Sequence, residues 1–259
     1  MSTREERAAR FRALHAGEAF VIPNPWDAGS ARVLEGLGFE ALATTSSGFA
    51  FTLGRRDGGT TLDEVAAHVE SLVRATDLPV SVDLENGYDG PAAAIMRIAE
   101  AGAVGGSIED WDPAGGLYEL PKAVERIEAA VEAGRSLGWP FTLTARAENH
   151  IRGHPDLDDT IARLQAFEQA GADVLYAPGL ANADEIGAVC SAVSKPVNVL
   201  ARPNLTMTEI AEAGGRRVSV GGALTWTAVS AFVEAATAIR DRGDFSSLGD
   251  SSGFQPWLS

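Results

Sequence analysis

The stretch PVSVDLENGYDG, residues 79–90, reads as a β-strand that runs from apolar residues straight into carboxylates. Side chains alternate along a strand, so Asp83 and Glu85 are expected on one face while Val82 and Leu84 take the other. Two acids side by side repel unless a cation or a shared proton intervenes, and placing them at the end of a greasy strand costs stability. That cost points to a function.

Outward from this strand, short β-branched runs alternate with amphipathic helical stretches along the whole chain. Eight strands are expected: Ala19 to Asn24, Ala41 to Ser46, Val80 to Glu85, Gly106 to Asp110, Phe141 to Arg146, Val174 to Pro178, Val197 to Ala201 and Val218 to Gly221. Cap chemistry marks the helices between them, with Asp27 and Thr61 as starts and Gly38, Gly102, Gly138, Gly171 and Gly214 as stops. Parallel strands joined eight times by crossover helices in about 250 residues match an α/β fold of the closed (β/α)8 or TIM barrel type. An open dinucleotide-binding sheet is the competing architecture, but VIPNPWDAGSA follows the first strand where a GxGxxG fingerprint would stand. Residues 1–259 are read as one barrel domain, with an extra helix, Glu5 to His15, ahead of the first strand. The Ser-, Gly- and Pro-rich segment 245–259 is read as an extended tail.

Composition narrows the functional classes. At 45% hydrophobic and 22% charged, the 259 residues can bury a substantial core. The N-terminal residues are charged and no apolar run reaches membrane-spanning length, so a cytoplasmic location is expected. A net charge of −15 opposes contact with nucleic acid or an anionic membrane. A small anionic substrate meets the same repulsion, so local arginines or a metal ion must attract it. The sole cysteine, Cys190, sits in a helical pattern as inert packing.

In a barrel, the functional groups belong where strands end and loops begin. Those points carry Asn24 and Asp27, then Thr45 to Gly48, Asp83 and Glu85, Glu109 and Asp110, Arg146 and Glu148, Tyr176, and Asn198. Several have plain structural readings. Asp27 suits an N-cap, Ser46-Ser47-Gly48 suits a turn whose N–H groups could also nest an anion, and Arg146 with Glu148 suits an ion pair. Glu109 and Asp110 are adjacent, so only one can face the mouth. His15 and His68 read as exposed, and no histidine has zinc-like spacing. Carboxylates from three neighbouring strand ends nevertheless form a set that favours a hard cation, Mg2+ or Mn2+, while Arg146 offers a fork for an anion. Such a cation stabilises an enolate oxygen as an adjacent bond breaks.

The ordered motifs TTSSGFA, GRRDGG, SVDLENGYDG, SIED, TARAEN and PVNVL, spread from Phe11 to Arg242, give a chain that resembles the isocitrate lyase and phosphoenolpyruvate mutase superfamily. The resemblance implies a barrel, a magnesium ion, and 2-oxo or 2-hydroxy acid substrates. It casts Ser47, Gly48 and Phe49 as the segment holding the substrate carboxylate, and Asp57 as an aspartate near the metal's water shell. Asp83 would be the direct metal ligand, with Glu85 and Glu109 acting through water. Arg146 would clamp the substrate anion, with Asn198 also in the binding set. It further implies a homo-oligomer, a dimer or tetramer, with the segment Ala223 to Arg240 exchanged between subunits.

The chain departs from the superfamily pattern in the loop after the fourth strand. There WDPAGGLYELPK, Trp111 to Lys122, lacks the cysteine and histidine of the lyases and the paired lysine and asparagine of the phosphonate mutases. Tyr118 is the proton donor that remains. The leading expectation is a Mg2+-dependent lyase that cleaves a carbon–carbon bond, by retro-aldol reaction or decarboxylation. A P–C bond mutase or hydrolase and a non-catalytic 2-oxo acid binder are the alternatives.

Overall fold

The computed structural model describes residues 2–258. In chain order its strands are β1 (Phe20–Ile22), β2 (Leu42–Ala43), β3 (Val80–Asp83), β4 (Gly105–Glu109), β5 (Trp111–Asp112), β6 (Gly116–Leu117), β7 (Thr142–Arg146), β8 (Val174–Tyr176), β9 (Val197–Leu200) and β10 (Arg217–Ser219). Eight of them form one parallel sheet in the order β1, β10, β9, β8, β7, β4, β3, β2, and β5 with β6 makes a small hairpin in the loop after β4. The Ala43 N–H donates to the Pro23 carbonyl at 3.1 Å, joining the two ends of the sheet. The architecture is the expected TIM barrel. Its strands are mostly shorter than the apolar runs, because the mouth residues leave the ladder to build loops. Ser46, expected at the end of a strand, instead opens a helix.

The helices are α1 (Arg4–Ala16), α2 (Ala28–Gly36), α3 (Ser46–Thr52), α4 (Leu62–Ala75), α5 (Pro91–Glu100), α6 (Leu120–Ser136), α7 (Leu157–Gln169), α8 (Ala183–Ala192), α9 (Met207–Glu212) and α10 (Ala223–Arg242). Asp27 caps α2 and Thr61 caps α4, each in a reciprocal capping box. All five glycines expected to stop helices have positive φ, between 77° and 103°, the left-handed region where a Cβ is costly.

The main core lies between the sheet's outer face and the helices, where Val82, Leu84, Ile95, Ile98, Leu143 and Phe167 are buried. A second cluster closes the bottom of the barrel, where Phe11 of α1 packs with Phe20, Ile22 and Val104. Gly105 is glycine for this reason: a Cβ there would lie 2.8 Å from the Thr142 carbonyl oxygen and 2.9 Å from the Phe11 ring.

Both N-terminal-half histidines depart from the expected exposure. His15 is 8% exposed, bonded to the Phe11 carbonyl oxygen at 2.8 Å, and His68 is 9% exposed with its ring stacked on Phe49 at 4.1 Å. Burial pushes the His15 ring down to about 3, aided by the Arg217 charge, and His68 down to about 4. Cys190 packs beneath Gly214, and burial raises its thiol to about 11, consistent with an inert group. The segment expected as an extended tail, 245–259, turns back over its described part: a 3-10 turn at Gln255–Trp257 seats Trp257 on Gly36 of α2.

α10 differs from the other helices. Only Thr225 and Ala238 are buried, whereas Trp226, Phe232 and Val233 are exposed, Phe232 by 71%. None of the helices is long and apolar enough to cross a membrane among the described residues.

Because Phe11 is fully buried and seals the barrel floor, Phe11→Ala should lower unfolding free energy by about 3–5 kcal/mol in urea titrations. A loss under about 1 kcal/mol would show that α1 is a decoration and not a plug.

Candidate active site

The barrel's register sets a row of functional residues side by side. Glu109 pairs with Arg146, Arg146 with Tyr176, Tyr176 with Asn198, and Asn198 with Arg217, across five adjacent strands. Strand alternation turns their side chains into the barrel, where a cavity of about 230 Å³ opens between the strand ends. Ser47, Asp57, Asp83, Glu109, Arg146 and Asn198, all expected at the site, line it. Its lower wall is polar, with Ser81, Ser107, Ser219 and Arg217 in place of the branched apolar residues usual in barrel interiors.

Arg146 is the hub. Its Nη1 donates to Asp83 Oδ1 at 3.0 Å and its Nε to Glu148 Oε1 at 2.9 Å, while Nη2 lies 2.9 Å from Glu109 Oε1 and 2.8 Å from Glu148 Oε1. Its guanidinium stacks over Tyr176 at 5.0 Å. Burial alone would favour the neutral form, but Glu109, Glu148 and Asp83 reverse this and hold Arg146 well above its ordinary pKa. Arg152 adds a second bridge, to Glu109 Oε2 at 3.0 Å and Glu148 Oε2 at 3.2 Å. Burial pushes the Glu109 carboxyl up, the two guanidiniums pull it down, and Glu148 and Asp83 push it up again.

The expected metal set is therefore rearranged. Asp83 and Glu109 meet at Arg146, whereas Glu85 turns elsewhere, and among the described residues no three acid, histidine or cysteine side chains surround one point. β3 ends at Asp83, and Glu85 has a left-handed φ of 50°, so simple alternation does not carry past the strand. The Glu85 carboxylate accepts from the Tyr88 hydroxyl at 3.3 Å and approaches the loop that holds Asp57 and Gly58. Neither Glu85 nor Asp57 has an ion-pair partner among the described residues within 4.0 Å. Burial raises the Glu85 carboxyl to about 7, and the charges of Asp83 and Asp57 add to the shift. Asp57, Asp83 and Glu85 thus form an acidic set only partly compensated by Arg146, a donor chemistry that fits a hard divalent cation holding part of its water.

Other expected residues are placed differently. Ser47, Gly48 and Phe49 form the first turns of α3 and not a loop, with Thr45 Oγ1 accepting the Gly48 N–H at 3.3 Å. The Ser46 N–H at the start of this helix donates to Asp83 Oδ2 at 3.3 Å. Phe49 points into the core against His68, and a Cβ on Gly48 would lie 2.6 Å from Thr45 Cγ2. Tyr118 lies outside the cavity lining, with its ring against Arg126 at 5.0 Å and its hydroxyl 3.4 Å from Asn86 Nδ2.

Arg152 and Arg217 were not singled out as site residues, whereas Glu148, read with Arg146 as an ion pair, forms that pair. Asp110, the neighbour of Glu109, faces away and bonds Arg163 Nη1 at 3.1 Å and the Glu148 N–H at 2.8 Å. It thereby ties the fourth strand end to the fifth.

Comparison with known proteins fits this geometry. The family model for phosphoenolpyruvate phosphomutase matches residues 11–240. The 2-methylisocitrate lyase of Halalkalibacterium halodurans is 31% identical over 75% of this chain and 67% of that enzyme. An oxaloacetate decarboxylase of Bradyrhizobium sp. is 33% identical over 88% of this chain and 83% of its own. A Burkholderia cenocepacia J2315 structure, provisionally named a lyase/mutase, is 54% identical with a TM-score of 0.92, covering 94% of this chain and 92% of that one. Fold and site define an α/β-barrel enzyme class of lyases, decarboxylases and mutases. The chain belongs to the phosphoenolpyruvate mutase and isocitrate lyase superfamily.

The Glu85 carboxyl, near 4.5 when unperturbed and about 7 in the fold, binds its proton more tightly in the native state. Stability from this group is therefore full at low pH and is lost as pH rises through about 7. Without added metal, the melting temperature of the wild type relative to Glu85→Gln should fall across that window. A constant gap between the two melting curves would show that Glu85 is ionised at no cost.

Proposed function

We propose that the protein is a Mg2+-dependent lyase that breaks a carbon–carbon bond beside the carbonyl or hydroxyl carbon of a small 2-oxo or 2-hydroxy carboxylate. The observation that carries this reading is the mouth of the barrel, where the charges of Asp57 and Asp83 act on a half-buried Glu85 and only Asp83 is paired with an arginine, in a family whose named relatives include a lyase and decarboxylases. Asp83 would hold the ion, with Glu85 and Asp57 reached through water; Glu109 is occupied by two guanidiniums. A bound divalent ion supplies positive charge opposite the oxygen on which negative charge develops.

The chain's own residues do the rest. The Ser47 hydroxyl lines the cavity at the start of α3, where the helix dipole favours a substrate carboxylate. Arg146 has one Nη1 hydrogen left after its bond to Asp83. That hydrogen and the Asn198 amide can orient a second oxygen of the ligand. The three acids fix the Arg146 plane, so the fork is positioned before substrate arrives. With Tyr118 outside the cavity, the proton returned to the product carbon would come from water.

Turnover of 2-oxo and 2-hydroxy acids, followed as pyruvate or glyoxylate release, should vanish with EDTA and return with Mg2+. Asp83→Asn should cut it at least about a hundredfold. Independently of turnover, Mg2+ should raise the melting temperature of the wild type and leave Asp83→Asn unmoved. EDTA-resistant turnover, or an equal thermal shift in both proteins, sinks the metal assignment. The family model's name keeps one rival in play: a phosphonate substrate, which phosphorus NMR of a phosphonopyruvate incubation would reveal.

The apolar side of α10 supports a homo-oligomer in which a second copy covers Phe232 and Val233. Light scattering should give a multiple of 27.1 kDa, and Phe232→Glu with Val233→Glu should reduce it to one chain. A monomeric wild type refutes this part of the reading.

A further inference from the structure

A second cavity, of about 420 Å³ and larger than the candidate active site, lies at the opposite end of the barrel. Its walls come from the starts of β7 and β8, the last turns of α1 and α6, and the segment Trp139–Phe141 that leads into β7. Three cations border it: Arg12 from α1, Arg135 from α6, and Lys195 just ahead of β9. None of the three has an ion-pair partner within 4.0 Å among the described residues.

The only acid in the lining is Asp173. Its Oδ2 is turned inward onto the Leu143 N–H at 2.9 Å, although the residue's outer atoms are exposed. Burial raises this carboxyl, while the Leu143 N–H and the charges of Lys195, Arg12 and Arg135 pull it down, so all three cations act on the same spot. His15, which also lines the cavity, is kept neutral by burial. The cavity therefore holds an excess of two positive charges, on a chain whose net charge is −15.

Three like charges gathered around one carboxylate repel one another, and the 36 acidic residues of the chain leave them unpaired. An anion in the cavity would relieve that repulsion. Trp139 and Phe141, 6.0 Å apart between ring centroids, supply an apolar wall against which carbon atoms can pack. We propose that this cavity is a second, non-catalytic anion site that takes a small organic dianion, a phosphate monoester or a dicarboxylate. Barrel enzymes carry out their chemistry at the other end of the strands, so the ligand is bound and not transformed. The cavity also touches the site above. The Nε2 of His15 lies 3.3 Å from Arg217 Nη1, and Arg217 lines the candidate active site.

This inference does not rest on the lyase reading, and calorimetry on the full chain tests it without turnover. Glycerol 3-phosphate, succinate and inorganic phosphate serve as dianion probes, with acetate as the monoanion comparator. At least one dianion should bind about tenfold or more tightly than acetate, and the double variant Arg135→Gln, Lys195→Gln should lose about tenfold in that affinity. Binding should also alter the fluorescence of the wild type but not of Trp139→Phe. A response to glycerol 3-phosphate alone identifies a phosphate ester, and to succinate alone a dicarboxylate. If no dianion binds the wild type, or if the double variant binds as tightly as the wild type, the site does not exist as described.

Discussion

The arrangement of the barrel mouth depends on one guanidinium. Arg146 is buried among Asp83, Glu109 and Glu148, which arrive from three different strand ends and would repel one another without it. Removing a charge from such a network leaves its partners buried and uncompensated, which commonly costs about 3–5 kcal/mol. The network therefore serves two purposes at once. It holds the ends of β3, β4 and β7 at fixed separation, and it holds Asp83 with one oxygen against Arg146 and the other toward the start of α3. A floppy mouth could not keep an acidic residue poised in this way.

Much of this was legible in the sequence, and the legible part follows from periodicity. Strand-end position put Asp83, Glu109, Arg146 and Asn198 among the mouth residues and the family resemblance favoured Glu109 over Asp110; in the structure parallel register sets Glu109, Arg146 and Asn198 in one row. Glycine stops and Ser/Thr/Asp caps gave the helix limits because they are local chemistry. Failure came where the chain leaves regular structure. Glu85 lies two residues past the end of β3 with a left-handed backbone, so the period of two no longer says where its carboxylate points. Thr45 caps a helix directly, and what reads as a Ser-Ser-Gly turn is the first turn of α3.

The two buried histidines show a different limit. In α4, Val65, His68, Val69 and Leu72 fall on one helical face, and in α1 Ala8, Phe11 and His15 do the same. The pattern was present, but histidine is intermediate in its burial preference, and the charged residues near these histidines made their helices read as surface. Glu148, by contrast, meets Arg146 and Arg152 through local spacings of two and four, and only its tie to Asp110, 38 residues away, is long-range. That last contact becomes visible only when the fourth and fifth strand ends are brought together.

Arg217 extends the electrostatic argument down through the barrel. It is 5% exposed and bonds Asn198 Oδ1 at 2.8 Å and Thr144 Oγ1 at 3.0 Å, yet no carboxylate within 4.0 Å compensates it among the described residues. Its pKa is lowered to about 10, chiefly by burial, with the Tyr176 hydroxyl opposing the shift and the Arg146 charge contributing to it. A cation in that position stays charged at neutral pH and contributes positive potential to the floor of the cavity. The mouth above it is acidic. An anionic ligand entering past Asp57 and Asp83 thus moves from repulsion toward attraction, and a divalent ion at the rim would remove the first barrier while Arg146 and Arg217 favour the final position. Such a field would offset the negative net charge for an anionic ligand. Charge is sorted along the barrel axis, and the serines and asparagine that line the interior add polar groups along it.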